Sequence, residues 1–152
     1  MDVNKLKKNI NEPVKILIIE NNPGDLHQLI EEFKKSTFPD DIRFTGSGRE
    51  AWKMICQSSV FNDMPRPNII IFDFNTLRNK GGSEVLEKII KEESIKCIPV
   101  VILTDLKDEN ELDNYQDCPN LFITKPKSDG EYKDVVICIE EFWHKYASNN
   151  KK

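Results

Sequence analysis

The chain has 152 residues, the length of a single domain, and its formal net charge of −4 at pH 7 argues against a nucleic-acid partner. No apolar run approaches the ~20 residues of a membrane span and the N-terminus lacks the apolar core of a signal peptide, so we expect a cytoplasmic protein with no membrane contact. The four cysteines stand far apart without a Cys-x-x-Cys pair, so neither a zinc ribbon nor a redox motif is indicated.

The first part of the chain predicts a polar arm followed by two strand–helix units. Residues 1–13 are rich in Asn and Lys and are expected to form a flexible arm, with the domain spanning residues 14–147. The apolar run from Lys15 to Glu20 predicts a strand, and Ile42 to Thr45 alternates as a half-exposed edge strand does. The turn from Asn21 to Gly24 leads into a helix, since proline suits a first helical turn. The apolar residues of the two helices are Leu26, Leu29, Ile30 and Phe33, then Ala51, Trp52, Met54 and Ile55.

Three further strands are predicted in the second part of the chain. The run from Asn68 to Asp73 is uninterrupted, β-branched and aromatic, which is typical of a strand buried on both faces. Residues 74–82 then predict a loop, because the glycines at its end allow unusual backbone angles. Pro99 opens a fourth strand that ends at Thr104, and the run from Leu121 to Lys125 predicts the fifth.

The remaining segments predict helices of unequal strength. A helix carries Val85, Leu86, Ile89 and Ile90 at helical spacing. Residues 107–120 contain few apolar side chains and predict at most a short helix. The last helix is predicted from about Glu131 to Tyr146, before a frayed tail at 148–152. Five strands alternating with helices predict an α/β fold, a doubly wound parallel sheet in three layers.

Four of the predicted strands end on a polar side chain. These residues are Glu20, Asp73, Thr104 and Lys125. Parallel strands bring their carboxyl ends to one edge of the sheet, where open α/β sheets keep their ligand sites. A carboxylate can accept a phosphoryl group, and this transfer needs charge neutralisation and alignment above all. Asp73 could therefore be the acceptor, while Lys125 and Thr104 bind phosphoryl oxygens.

A divalent cation would complete such a site. Glu20, Asp73 and the backbone carbonyl of Asn75 could hold Mg²⁺, which accepts a few protein oxygens together with water and phosphate. Each residue alone has a simpler role, since an Asp after a strand is usually a turn former or helix cap and Thr104 could cap the next helix. The combination of four suitable residue types at four strand ends favours the functional interpretation.

The same segments resemble the receiver domain of two-component response regulators, over about residues 14 to 146. The segment from Lys15 to Pro23 resembles the acid-pair opening of that family, and Ile70 to Asp73 with Gly81 resembles the phosphoacceptor segment. Pro99 to Thr104 resembles the switch strand and Phe122 to Pro126 the lysine strand.

The resemblance implies a stand-alone receiver with flavodoxin-like strand order 2-1-3-4-5 that a sensor histidine kinase or phosphotransfer protein phosphorylates in the presence of Mg²⁺. It implies that Asp73 is the phosphoacceptor, that Lys125 binds the phosphoryl group and that a cis bond precedes Pro126. It further implies that Thr104 and Phe122 form the switch pair, in which the hydroxyl moves towards the phosphoryl group and the ring follows.

Three residues depart from the family pattern. Asn21 stands where the family has its second acid, a direct Mg²⁺ ligand, so weakened metal binding is expected. Asp105 replaces a small residue and could either obstruct an incoming phosphoryl donor or partly replace the missing acid. Leu77 replaces a common proline. A receiver fold kept as a phosphorylation-independent docking module is therefore the alternative interpretation.

Two other enzyme or cofactor classes fit poorly. Haloacid-dehalogenase-type phosphatases need an acid two residues after the nucleophile, where this chain has Asn75, and they place that motif on the first strand. A flavin site is disfavoured because residues 21–24 are not a hydroxyl- and glycine-rich phosphate loop.

Protein partners are expected at two helices. The last helix has more aromatic residues than one face normally buries, which would suit a homodimer through the last strand and helix. By the family resemblance, the first helix meets the kinase. The residues concerned are Phe142, Trp143 and Tyr146 on the last helix and Leu26, His27 and Ile30 on the first.

Overall fold

The computed structural model describes residues 14–36, 38–39, 41–57, 63–78, 82–92, 98–104, 120–127 and 131–149. In chain order the elements are β1 (Lys15–Ile19), α1 (Pro23–Lys35), β2 (Asp41–Thr45), α2 (Gly48–Ile55), β3 (Ile69–Asp73), α3 (Phe74–Arg78), α4 (Gly82–Lys91), β4 (Val100–Thr104), β5 (Asn120–Thr124) and α5 (Tyr132–Asn149). The predicted arm at 1–13 lies outside the described residues, and so does the segment 107–120 predicted as at most a short helix, except for Asn120, which begins β5. Within the described ranges, no helix is long and apolar enough to cross a bilayer.

The five strands form one parallel sheet in the order β2-β1-β3-β4-β5, as predicted. Strands β3 and β4 are buried along their whole length, because helices cover both faces of the sheet. The edge strand β2 exposes two consecutive side chains, Arg43 and Phe44, and buries Thr45, so it lies at the edge as predicted but without the predicted alternation.

Alternate side chains of each inner strand enter two separate apolar cores. Leu17 and Ile19 of β1 pack with α2 and α4, while Ile16 and Ile18 pack with α1 and α5. Phe33 of α1 is fully buried in the second core. This two-sided packing is the three-layer, doubly wound arrangement that the strand–helix alternation predicts.

The residues after β3 form a short helix where the sequence predicted only a loop. Helix α3 begins directly after Asp73, whose carboxylate accepts a hydrogen bond from the backbone N–H of Thr76 at 3.2 Å. Phe74 is buried in the core beside α2 and α4. A capping carboxylate and a buried aromatic side chain therefore stabilise a helical turn that local composition does not indicate.

Two other sequence predictions need correction. The Lys125–Pro126 bond is trans, so the predicted cis bond is wrong; the trans form is the lower in energy even before proline. Helix α5 continues to Asn149, beyond the predicted end at Tyr146, and includes two residues of the predicted tail. Two of the aromatic residues of this helix, Phe142 and Trp143, contribute to the core, because they are partly buried against the apolar cluster that α1 and α5 form on their face of the sheet.

Candidate functional site

The candidate site lies at the carboxyl ends of β1, β3 and β5, around the ammonium group of Lys125. Its Nζ atom is 2.6 Å from Asp73 Oδ1, 3.0 Å from Asp25 Oδ2 and 3.3 Å from Glu20 Oε2. Only a tenth of the Lys125 side chain is exposed. The Lys125 backbone N–H donates to the carbonyl oxygen of Thr104 at 2.7 Å, which ties the end of β5 to the end of β4.

The charge of Lys125 depends on these acids. Burial alone would lower the pKa of the ammonium group, but its contacts with Asp73 and Asp25 outweigh burial and raise the pKa above its ordinary value. Lys125 therefore remains a cation, and three carboxylates share one positive charge.

The two oxygens of the Asp73 carboxylate have different surroundings. Oδ2 lies 3.2 Å from both the backbone N and the Oγ1 of Thr76, and each of these can donate a hydrogen bond. Oδ1 lies 2.6 Å from Lys125 Nζ as an ion pair and takes no part in the bonds to Thr76. Asp73 thus holds one oxygen in a helix cap and presents the other, buried oxygen to the ammonium group.

The surroundings of Glu20 shift its pKa. It is nearly completely buried, and its Oε1 accepts a hydrogen bond from the backbone N–H of Asn22 at 3.0 Å. Burial, followed by the nearby charge of Asp73, raises its pKa to about 7, although Lys125 opposes the shift. A cation bound beside Glu20 would favour its charged form and so lower this pKa.

The chemistry of the available donors fits Mg²⁺. Asn21 is exposed, and its Oδ1 lies 3.3 Å from the Thr76 hydroxyl that also contacts Asp73. Within the described ranges, no group of three acidic, His or Cys side chains converges on a metal position. Two carboxylates with amide and carbonyl oxygens remain a suitable set, since Mg²⁺ retains several waters. An open groove of about 540 Å³, lined by Glu20, Asn21, Phe44 and Glu50, gives solvent access to this side of the site.

The other predicted residues lie around this centre. Asn75 is on α3, two residues after Asp73, with an exposed side chain. Thr104 ends β4 and is buried, whereas Phe122 of β5 is half-buried against the core beside α2 and α4. Asp105 lies outside the described residues.

Sequence reasoning missed three residues that contact the site. Asp25 stands in the first turn of α1, where Asn22 caps the helix, and an acid there suggests only a favourable helix-dipole interaction. Thr76 stands three residues after Asp73, a spacing that could have indicated a capping interaction. Tyr132 begins α5 and is buried, and a hydrogen bond joins it to Asp25. Burial, together with the charge of Asp25, raises the pKa of the Tyr132 hydroxyl, so it stays a donor.

No protein-family model matches the chain. The response regulator Rcp1 of Synechocystis sp. is 33% identical to it over 134 residues, which cover 88% of this chain and 90% of Rcp1. The chain belongs to the response regulator family. The probable methanogenesis regulatory protein FilR2 of Methanothrix harundinacea is 27% identical over 133 residues, covering 87% of this chain and 84% of FilR2.

Solved structures of response regulators share the fold. The phosphorylated cyanobacterial phytochrome response regulator RcpA superposes with a TM-score of 0.77 at 30% identity, covering 87% of this chain and 94% of RcpA. The Mn²⁺-bound form of Rcp1 gives a TM-score of 0.76 at 31% identity, covering 86% of this chain and 94% of Rcp1. The chain is therefore a response regulator receiver of two-component signalling, as the sequence motifs predicted.

The raised pKa of Glu20 makes stability dependent on pH. Because the folded protein holds the Glu20 proton more tightly than the unfolded chain, wild-type stability falls as pH rises from about 4.5 to about 7. Glu20→Gln removes this effect, so without metal it should be more stable than wild type at pH 8 by about 3 kcal/mol, and by much less at pH 5. Urea unfolding in EDTA at the two pH values measures the difference. Glu50→Gln, an exposed acid of the same groove, is the control, and an equal gain at both pH values would contradict the prediction.

Proposed function

We propose that this receiver accepts a phosphoryl group on Asp73 from the phosphohistidine of a sensor histidine kinase or phosphotransfer protein. The observation that carries the proposal is the buried Oδ1 of Asp73, which lies outside the α3 cap and 2.6 Å from the Lys125 ammonium group. Support also comes from RcpA, whose crystal structure is of the phosphorylated protein.

In the proposed reaction Oδ1 attacks phosphorus, the phosphorus–nitrogen bond breaks, and the imidazole leaves with that electron pair and takes up a proton. Lys125 cancels part of the charge on the phosphoryl oxygens, and Thr104 donates its hydroxyl to another of them. The donor approaches along α1, where His27 is exposed and Leu26 and Ile30 are partly exposed.

We further propose that Mg²⁺ binds at Glu20, Asp73, the Asn75 carbonyl and, weakly, Asn21. The Mn²⁺-bound form of Rcp1 supports a divalent site. When bound, the ion would neutralise charge on the transferring phosphoryl group. After transfer, Thr104 moves towards the phosphoryl oxygen and Phe122 into the vacated space, which alters the surface that partner proteins meet.

Treatment with acetyl phosphate and Mg²⁺ should add one phosphoryl mass to the intact protein. Asp73→Asn should abolish the adduct because it removes the attacking oxygen, whereas Asp41→Asn, a surface acid paired with Arg43, should leave it unchanged. An adduct that survives in Asp73→Asn would contradict the assignment. No adduct at saturating Mg²⁺ would favour the docking module.

Restoring an acid with Asn21→Asp should tighten Mg²⁺ binding about tenfold, because the affinity of such sites follows the charge of their ligands. Isothermal titration calorimetry measures the change. Asn22→Asp is the matched control, since it adds the same charge one residue away and aspartate also caps a helix. Equal tightening in both variants would indicate general electrostatics rather than ligation by residue 21.

We also propose that the receiver forms a homodimer through β5 and α5. Ile137 of α5 and Phe44 of β2 are the exposed large hydrophobic residues of the described ranges, at 42% and 54% exposure. Ile137→Glu should lower the dimer fraction in sedimentation velocity with the phosphodonor present, because it places a charge in the apolar contact. Phe44→Glu, on the opposite edge of the sheet, is the control; a loss of dimer in that variant alone would place the contact at β2.

A further inference from the structure

Three carboxylates surround the Lys125 ammonium group. Nζ donates to Asp25 Oδ2 at 3.0 Å and also lies 2.6 Å from Asp73 Oδ1 and 3.3 Å from Glu20 Oε2. An ammonium group has three N–H donors and no acceptor. With three carboxylates around it, Lys125 has no donor to spare for a phosphoryl oxygen unless one acid withdraws.

Asp25 is the acid that can withdraw most readily. Its side chain is 33% exposed, whereas those of Glu20 and Asp73 are 2% exposed. Water can solvate the Asp25 carboxylate when it leaves Lys125, but a buried carboxylate that loses its cation would remain uncompensated.

Tyr132 gives Asp25 a second partner. The hydroxyl of this buried tyrosine, at the start of α5, hydrogen-bonds to the Asp25 carboxylate. Asp25 therefore joins the first turn of α1, the first turn of α5 and the lysine at the end of β5. The Tyr132 hydroxyl therefore helps to hold Asp25 beside Lys125.

We propose that Asp25, anchored by Tyr132, is a positioning residue that occupies a donor of Lys125 and is displaced when a phosphoryl oxygen reaches Asp73. This inference rests on the proposed phosphorylation of Asp73. In the phosphoryl-free protein Asp25 competes with the incoming group for Lys125 and adds negative charge that repels an anionic donor. Asp25 thus slows the reaction while it orients the lysine.

The test compares rates of phosphorylation by acetyl phosphate across donor concentrations, followed by intact-protein mass. Asp25→Asn should react about two to five times faster, the range expected for releasing a partly exposed ion pair, chiefly through a lower half-saturating donor concentration. Asp25→Glu, which keeps the carboxylate, should restore the slow rate. Tyr132→Phe, which keeps Asp25 but removes its anchor, should react faster than wild type by a smaller factor.

Asp134→Asn is the matched control, because Asp134 occupies the same position in the first turn of α5 as Asp25 does in α1. It should leave the rate unchanged. A rate for Asp25→Asn equal to or below that of wild type would overturn the inference and leave the proposed function intact. Phosphorylation of Asp25→Asn but not of wild type would support it, whereas absence of adduct in every variant would overturn both proposals. If Asp25→Asn does not fold, the rate of Tyr132→Phe tests the inference instead, and a rate equal to or below that of wild type would overturn it.

Discussion

The electrostatic balance around one buried ammonium group holds this site together. Among the described residues, Lys125 at the end of β5 is the cation that contacts all three acids: Glu20 after β1, Asp25 on α1 and Asp73 at the end of β3. Removing the lysine would leave buried carboxylates without compensation, a larger penalty than the net contribution of the pairs themselves. The site therefore has three carboxyl groups for one ammonium group, which suits a site that takes up a cation and an anionic group together.

The sheet topology brings these groups together. Strands β1 and β3 are neighbours, and the helices that follow them, α1 and α4, lie on opposite faces of the sheet. Loops from neighbouring strands therefore diverge and leave a crevice at the carboxyl end of the sheet, as in other doubly wound folds. The backbone hydrogen bond between the ends of β4 and β5 fixes the point from which the lysine side chain extends.

The strands and their order were predictable because buried parallel strands have uninterrupted apolar sequences, as at Ile69 to Phe72. Glu20, Asp73 and Lys125 were recognisable because each directly follows such a run. Asp25 and Tyr132 were not, since their meeting depends on how α1 and α5 pack on the same face, which helical spacing alone does not specify. Helix α3 was missed because its capping residue, Asp73, was interpreted as a phosphoacceptor and not as the start of a helix.

The hydrogen bonds from Thr76 to Asp73 Oδ2 link the proposed phosphoacceptor to the first turn of α3. A carboxylate spreads its charge over two oxygens, but an acyl phosphate leaves Oδ2 as an ester-like carbonyl, a weaker acceptor for the N–H and hydroxyl of Thr76. Phosphorylation of Asp73 would thus weaken the cap of α3 directly, without the movements of Thr104 and Phe122. Helix α3 would then unwind in part when Asp73 is phosphorylated, independently of movements in β4 and β5.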